Sequence, residues 1–242
     1  MNENPIGVFD SGVGGLSILR ELRSGLPNEN FVFFADRANV PYGEKDKPTL
    51  IDLTSRIVQA LIAKGAKMIV IACNTATCYT IGELRKQFNV PMVGVVPAIK
   101  PAAEKTITKK IALISTPATA KSSYVTKLID DYAKGVEVFR IGCSGLEDAV
   151  ELGSISSPKT TELLQRYVGP LKEKGIDHLV LGCTHYPFLK EQIAPILGPE
   201  VILIDSGAAV ARRADSLLMD LNLKNLRSVP GVCHYYTNKD EL

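Results

Sequence analysis

Tryptophan is absent from this chain, and aromatic residues make up only 6% of its 242 positions. A core must therefore be filled by Ile, Val, Leu and Ala, which leans toward an α/β fold rather than an aromatic stacking surface. Charge of one sign is also missing. The chain has 28 basic and 26 acidic residues, a formal net charge of +2. No basic run exceeds a pair such as Lys109-Lys110 or Arg212-Arg213, so the electrostatic footprint of a nucleic-acid binder is lacking. No apolar run approaches the ~20 residues of a membrane span. The opening Met1-Asn2-Glu3-Asn4-Pro5 has neither the basic nor the apolar part of a secretory signal. Histidines number three and no Cys-x-x-Cys occurs, so a zinc site is not expected. The five cysteines are an odd number in a chain that is not short, which argues against a disulfide framework. Together these absences predict a cytoplasmic protein without membrane or nucleic-acid partners. The final Lys239-Asp240-Glu241-Leu242 spells a retention address that has no meaning without an entry signal.

What is present alternates short apolar runs with helical periodicity, the pattern of βαβ units. Ile6–Phe9, Phe31–Phe34, Met68–Ala72 and 92–96 read as strands, with helices over 16–26, 50–64 and 76–88. Met68–Ala72 reads as buried on both faces, as parallel strands are. The pattern then starts again with strands at 110–114, 136–140, 179–182 and 201–204. The two sets are offset by about 105–110 residues, and Cys73 and Cys183 stand 110 apart. The reading is α/β with two pseudo-symmetric lobes, each a mainly parallel sheet flanked by helices, and the active site in the cleft between them. The first lobe spans 1–97 plus 208–242 and the second 98–207, with segment 208–221 a helix returning to the first lobe.

Ligands gather at the carboxyl ends of parallel strands. Asp10-Ser11-Gly12, the 36–43 loop, Cys73-Asn74-Thr75, Ser115-Thr116 and Cys183-Thr184-His185 all fall there. Two thiols at repeat-equivalent strand ends suit inversion at a carbon. One base removes a proton from one face while an acid delivers a proton to the other. A thiol pKa of ~8.5 serves either role. Cys78, Cys143 and Cys233 lack that context and read as structural. The turn Asp10-Ser11-Gly12-Val13-Gly14-Gly15 offers amide donors but is neither a Walker loop nor a dinucleotide fingerprint. Asp10 could cap the helix after this turn or contact a substrate ammonium or a neighbouring thiol. In the Pro41-Tyr42-Gly43 loop backbone N–H groups, which only Tyr42 and Gly43 carry, could hold a carboxylate, and His185 could tune Cys183.

Asp10-Ser11-Gly12-Val13-Gly14-Gly15-Leu16, Val40-Pro41-Tyr42-Gly43, Cys73-Asn74-Thr75-Ala76, Gly182-Cys183-Thr184-His185-Tyr186-Pro187 and Asp205-Ser206-Gly207 together resemble the bacterial glutamate racemases over nearly the whole chain. The resemblance implies racemisation without pyridoxal phosphate, metal or other cofactor. It implies Cys73 as the base facing D-glutamate and Cys183 as the base facing L-glutamate, assisted by Asp10, His185 and Glu151. It implies substrate contacts from Asp10, Ser11, Pro41, Tyr42, Gly43, Asn74, Thr75, Thr116, Thr119, Thr184 and His185. A homodimer that supplies D-glutamate for peptidoglycan is the family expectation. Cys143-Ser144 departs from the family's usual Cys/Ala-Pro, and the family continues past Tyr235-Tyr236-Thr237 into a further helix, of which 239–242 would be the first turn. Two rivals stand beside this reading: a racemase of aspartate or a related acid in the same superfamily, and a two-lobed binding protein that closes on a small acid without turnover.

Overall fold

The computed structural model describes residues 2–239. The expected turn over 239–242 therefore lies, beyond Lys239, outside the described residues. The chain divides into two compact units. One runs to Val95 and resumes at Gly207; the other is Val96–Ser206. The crossings thus fall slightly before the sequence-based boundaries at 98 and 208.

The first unit carries a parallel sheet of β1 (Ile6–Asp10), β2 (Phe31–Ala35), β3 (Met68–Ile71), β4 (Met92–Gly94) and β9 (Cys233–Thr237). Its order is β4-β3-β1-β2-β9. Helices α1 (Leu16–Gly25), α2 (Lys47–Ala63), α3 (Asn74–Gln87) and α10 (Gly207–Asp220) belong to the same unit. Strands β1 and β3 are buried along their whole length, as strands covered on both faces must be. One apolar cluster joins Ile6, Val8, Met68 and Val70 to Leu19 and Leu22 of α1 and to Val210 and Leu218 of α10. The other joins Phe9, Ile69 and Ile71 to Val58 and Leu61 of α2 and Leu84 of α3. Alternate strand residues thus serve opposite faces. Helix α2 begins earlier than its apolar stripe suggests. Asp46 caps it by accepting from the Thr49 N–H at 2.9 Å, and Pro48 sits in its first turn. Its C-cap Lys64 is followed by Gly65, whose φ of +83° is the left-handed conformation a helix stop favours.

The second unit carries β5 (Lys110–Ser115), β6 (Glu137–Gly142), β7 (His178–Leu181) and β8 (Ile202–Ile204) in the order β6-β5-β7-β8, all parallel. Its helices are α4 (Ile99–Lys105), α5 (Pro117–Lys121), α6 (Ser123–Tyr132), α7 (Leu146–Glu151), α8 (Pro158–Val168) and α9 (Lys190–Leu197). Replacing each strand by its repeat partner turns this order into that of β1 to β4 in the first sheet. The register agrees too: Ile6 pairs with Phe31 and Met68, and Ile111 pairs with Val138 and His178. The duplication read from the sequence is therefore a duplication of topology. At the edge of the second unit, the Ser206 hydroxyl donates to the Val96 carbonyl at 2.5 Å, so the two crossings are tied side by side. Strand β9 has no repeat partner, and the sequence pattern does not predict it. Its residues are largely exposed, and no alternation marks it. Among the described residues, no helix is long and apolar enough to cross a membrane.

Candidate active site

In the first unit the carboxyl ends of β1, β2 and β3 collect Asp10, Asp36 and Cys73. Asp10 is fully buried and accepts from the Gly15 amide at 2.6 Å and the Ser11 hydroxyl at 3.4 Å. It thereby closes the glycine turn ahead of α1. A Cβ on Gly15 would lie 2.5 Å from the Asp10 Cβ and 3.0 Å from the Phe33 ring, so the turn can approach the strand end only with glycine there. Cys73 occupies the N-cap position of α3, and its sulfur accepts from the Ala76 N–H at 3.5 Å. Its thiol also lies 3.9 Å from the Ser11 hydroxyl.

Burial pushes the Cys73 thiol well above the usual thiol range. The Asp10 carboxylate pushes it the same way, and the Ala76 amide and Ser11 hydroxyl offset part of this. The net direction favours the protonated thiol over the thiolate. Asn74 and Thr75, in the first turn of α3, are buried beside it.

The loop after β2 carries Pro41, Tyr42 and Gly43, with a cis Val40–Pro41 peptide. Here the structure sharpens the sequence reading. Tyr42 is buried and donates its hydroxyl to the Asp36 carboxylate at 2.5 Å. Burial and then Asp36 drive its phenol far up from its ordinary value. Tyr42 is thus an anchor by its side chain, while the half-buried Pro41 and Gly43 flank it on the loop. Asp36 escaped the sequence reading. Its signal was its position at a strand end, the same one that singled out Asp10.

In the second unit the carboxyl ends of β5 and β7 carry Thr116 and Cys183. Cys183 lies 3.7 Å from Nδ1 of His185, and Nε2 of that ring lies 2.8 Å from the Glu151 carboxylate. Glu151 ends α7, and its side chain and that of His185 are 8% and 3% exposed. In the tautomer where the carboxylate accepts Nε2–H, the Nδ1 lone pair faces the sulfur and can accept its S–H. Thr184 is buried beside them. Gly182 precedes Cys183 because a Cβ there would sit 2.5 Å from Leu113 and 3.0 Å from the Ile114 carbonyl. Thr116 caps α5 by accepting from the Thr119 N–H at 3.2 Å, and its hydroxyl meets that of Thr119 at 3.1 Å. Cys143 reads as structural in sequence and is fully buried, its thiol raised to about 12 by burial and by Glu147. Tyr186 is fully buried and donates to the Cys143 carbonyl at 3.3 Å. Among the described residues no group of three or more His, Cys, Asp or Glu side chains is arranged to hold a metal ion.

Residues 20–214 match the Asp/Glu/Hydantoin racemase family. The glutamate racemase of Herpetosiphon aurantiacus is 44% identical over 240 residues, covering 99% of this chain and 94% of that one. A crystal structure of glutamate racemase from Francisella tularensis in complex with D-glutamate superposes with a TM-score of 0.87 at 33% identity, covering 100% of this chain and 90% of that one. The Escherichia coli glutamate racemase in complex with L-glutamate and the activator UDP-MurNAc-ala gives 0.84 at 36% identity, with 95% and 89% covered. The chain therefore belongs to the Asp/Glu/hydantoin racemase family and, within it, to the glutamate racemases.

Proposed function

We propose that this chain interconverts L- and D-glutamate by proton transfer at Cα, with Cys73 and Cys183 as the two bases and no pyridoxal phosphate, metal or other cofactor. Removing a proton from one face and returning one to the same face changes nothing. Inversion requires a second group acting from the other side. The observation that carries the reading is the pair of thiols at repeat-equivalent strand ends, each with its own proton partner: Asp10 and Ser11 beside Cys73, His185 beside Cys183. In the D-to-L direction Cys73 takes the proton and Cys183 delivers one; in the L-to-D direction the roles exchange. Glu151 is a positioning residue that fixes the His185 ring. Ser11, Asn74, Thr75 and Thr184 supply polar contacts, Pro41, Tyr42 and Gly43 supply loop backbone, and Thr116 and Thr119 lie near the substrate carboxylate. The cellular role in this reading is supply of D-glutamate for peptidoglycan, in the cytoplasm and as a homodimer, without nucleic-acid or membrane partners.

Circular dichroism of the purified chain with L-glutamate or L-aspartate tests the substrate. Decay of the glutamate signal to zero, with aspartate unchanged, is expected. Decay with aspartate alone would reject the assignment.

A further inference from the structure

Strand β9 is an edge strand with an exposed outer side, yet its end reaches into the first unit's site. Thr237, its last residue, pairs with Ala35, the residue before Asp36. Asn238 follows, and both ends of its amide are used. Its Nδ2 donates to Asp36 Oδ1 at 2.5 Å, and its Oδ1 accepts from the Ala38 N–H at 3.0 Å. Asp36 is 1% exposed. Its Oδ1 also accepts from Asn39 Nδ2 at 2.8 Å, while its Oδ2 takes the Tyr42 hydroxyl. The carboxylate is a hub whose donors come from Asn39 and Tyr42 in the loop and from Asn238 in the terminal strand.

We infer that Asn238 is a positioning residue for glutamate binding, acting through Asp36 and Tyr42 on the Pro41–Gly43 loop. An exposed asparagine that merely ended a strand would need neither bond. Here one amide bridges the buried acid and the backbone of the segment leading to the loop. It therefore fixes where the segment 38–43 sits relative to β2. Loosening it lets water reach Asp36 and lets Tyr42 shift. A displaced loop weakens ground and transition states alike, which raises KM and leaves kcat in place. The inference rests on the proposed racemisation, because it takes the 41–43 loop to contact glutamate.

The test is steady-state kinetics on Asn238→Ala, Asn238→Asp and the exchange variant Asn238→Asp with Asp36→Asn, beside the unaltered chain. Asn238→Ala should raise KM for both enantiomers by about tenfold, with kcat held within about twofold. Asn238→Asp should raise KM further at neutral pH, because it sets a second carboxylate against Asp36. The exchange variant restores an amide facing a carboxylate, at the loss of the Asn39 bond to Oδ1 of residue 36, and should recover part of the lost affinity relative to Asn238→Asp alone. Unchanged KM in Asn238→Ala overturns the inference, as does a fall of kcat and melting temperature together with KM unmoved. If the unaltered chain fails to racemise glutamate, the functional reading falls instead, and the two failures are told apart by that control.

Discussion

The two units share strand order and register but differ in what surrounds each thiol. Cys73 sits at a helix N-terminus, where amide donors alone would favour a thiolate, yet burial and a neighbouring carboxylate override them. Cys183 is followed by a 3-10 turn and has instead an imidazole oriented by Glu151. Duplication kept the sheet that places a sulfur at a strand end and let the proton partner diverge. The opposite ends of the sheets diverge in the same way. Lys67 and Asp177 lie 110 positions apart, just before β3 and β7. Lys67 pairs with Glu29 at 2.6 Å, both side chains 2% exposed, and donates to the Asn2 carbonyl. Asp177 is bound by His178, the Thr106 hydroxyl and the amides of Ile107 and Thr108. One lobe is closed by a buried ion pair, the other by a carboxylate in a ring of donors.

The largest expected effect separates those two closures. Lys67→Met leaves the Glu29 carboxylate buried without its cation and should cost about 3 kcal/mol in urea unfolding. Asp177→Asn should cost about 2 kcal/mol. Its contribution also has a pH signature. Burial is the largest single influence and pushes the Asp177 pKa up, but His178, Thr108, Thr106 and Ile107 together hold it below the usual carboxylate range. A depressed folded value means stability that is full above pH ~3.9 and lost as pH falls through the folded value. The Asp177→Asn variant should lack that acid limb, and equal acid sensitivity in both proteins would remove Asp177 from the account.

The thiol partners give the next effect. His185→Asn should lower kcat on the order of tenfold with L-glutamate and less with D-glutamate, since the proposed mechanism makes Cys183 the base for the L form. Enantiomers are equal in energy, so kcat/KM must remain the same in both directions and KM must follow kcat. Glu151→Gln should show the same asymmetry at smaller size. Equal losses of kcat in the two directions would deny that the imidazole serves one sulfur.

A smaller effect concerns Cys73 without substrate. Only the thiolate alkylates readily. In a Cys183→Ser background, iodoacetamide labelling of Cys73, followed by mass spectrometry, should keep rising with pH beyond the ordinary thiol midpoint of ~8.5. Labelling that levels off by pH 7 would show a lowered value and reverse the contrast drawn above.

Much of this was legible from residues alone. The runs Met68–Ala72 and 179–182 announce buried parallel strands because no residue in them needs water, and the 110-residue spacing of Cys73 and Cys183 announces the repeat. Gly65 marked a helix end. What stayed hidden depended on pairing at long range. Asp36 and Asn238 meet across 202 positions, and nothing local distinguishes Asn238 from any turn asparagine. Strand β9 lacks alternation because successive residues on both of its faces are exposed, so its pairing with β2 could not be read from pattern. Tyr42 reads as a loop residue in sequence, but the inward direction of its phenol follows from its bond to the buried Asp36, which loop spacing alone does not specify.

The central claim is that two thiols exchange protons at one carbon. Racemisation of L-glutamate in deuterium oxide, followed by mass spectrometry and chiral separation, tests it directly. The account predicts that the D-glutamate formed carries deuterium at Cα, and that Cys73→Ala and Cys183→Ala each lower its formation on the order of 10³-fold. D-Glutamate formed with its original hydrogen, or inversion that survives loss of either cysteine, would contradict it.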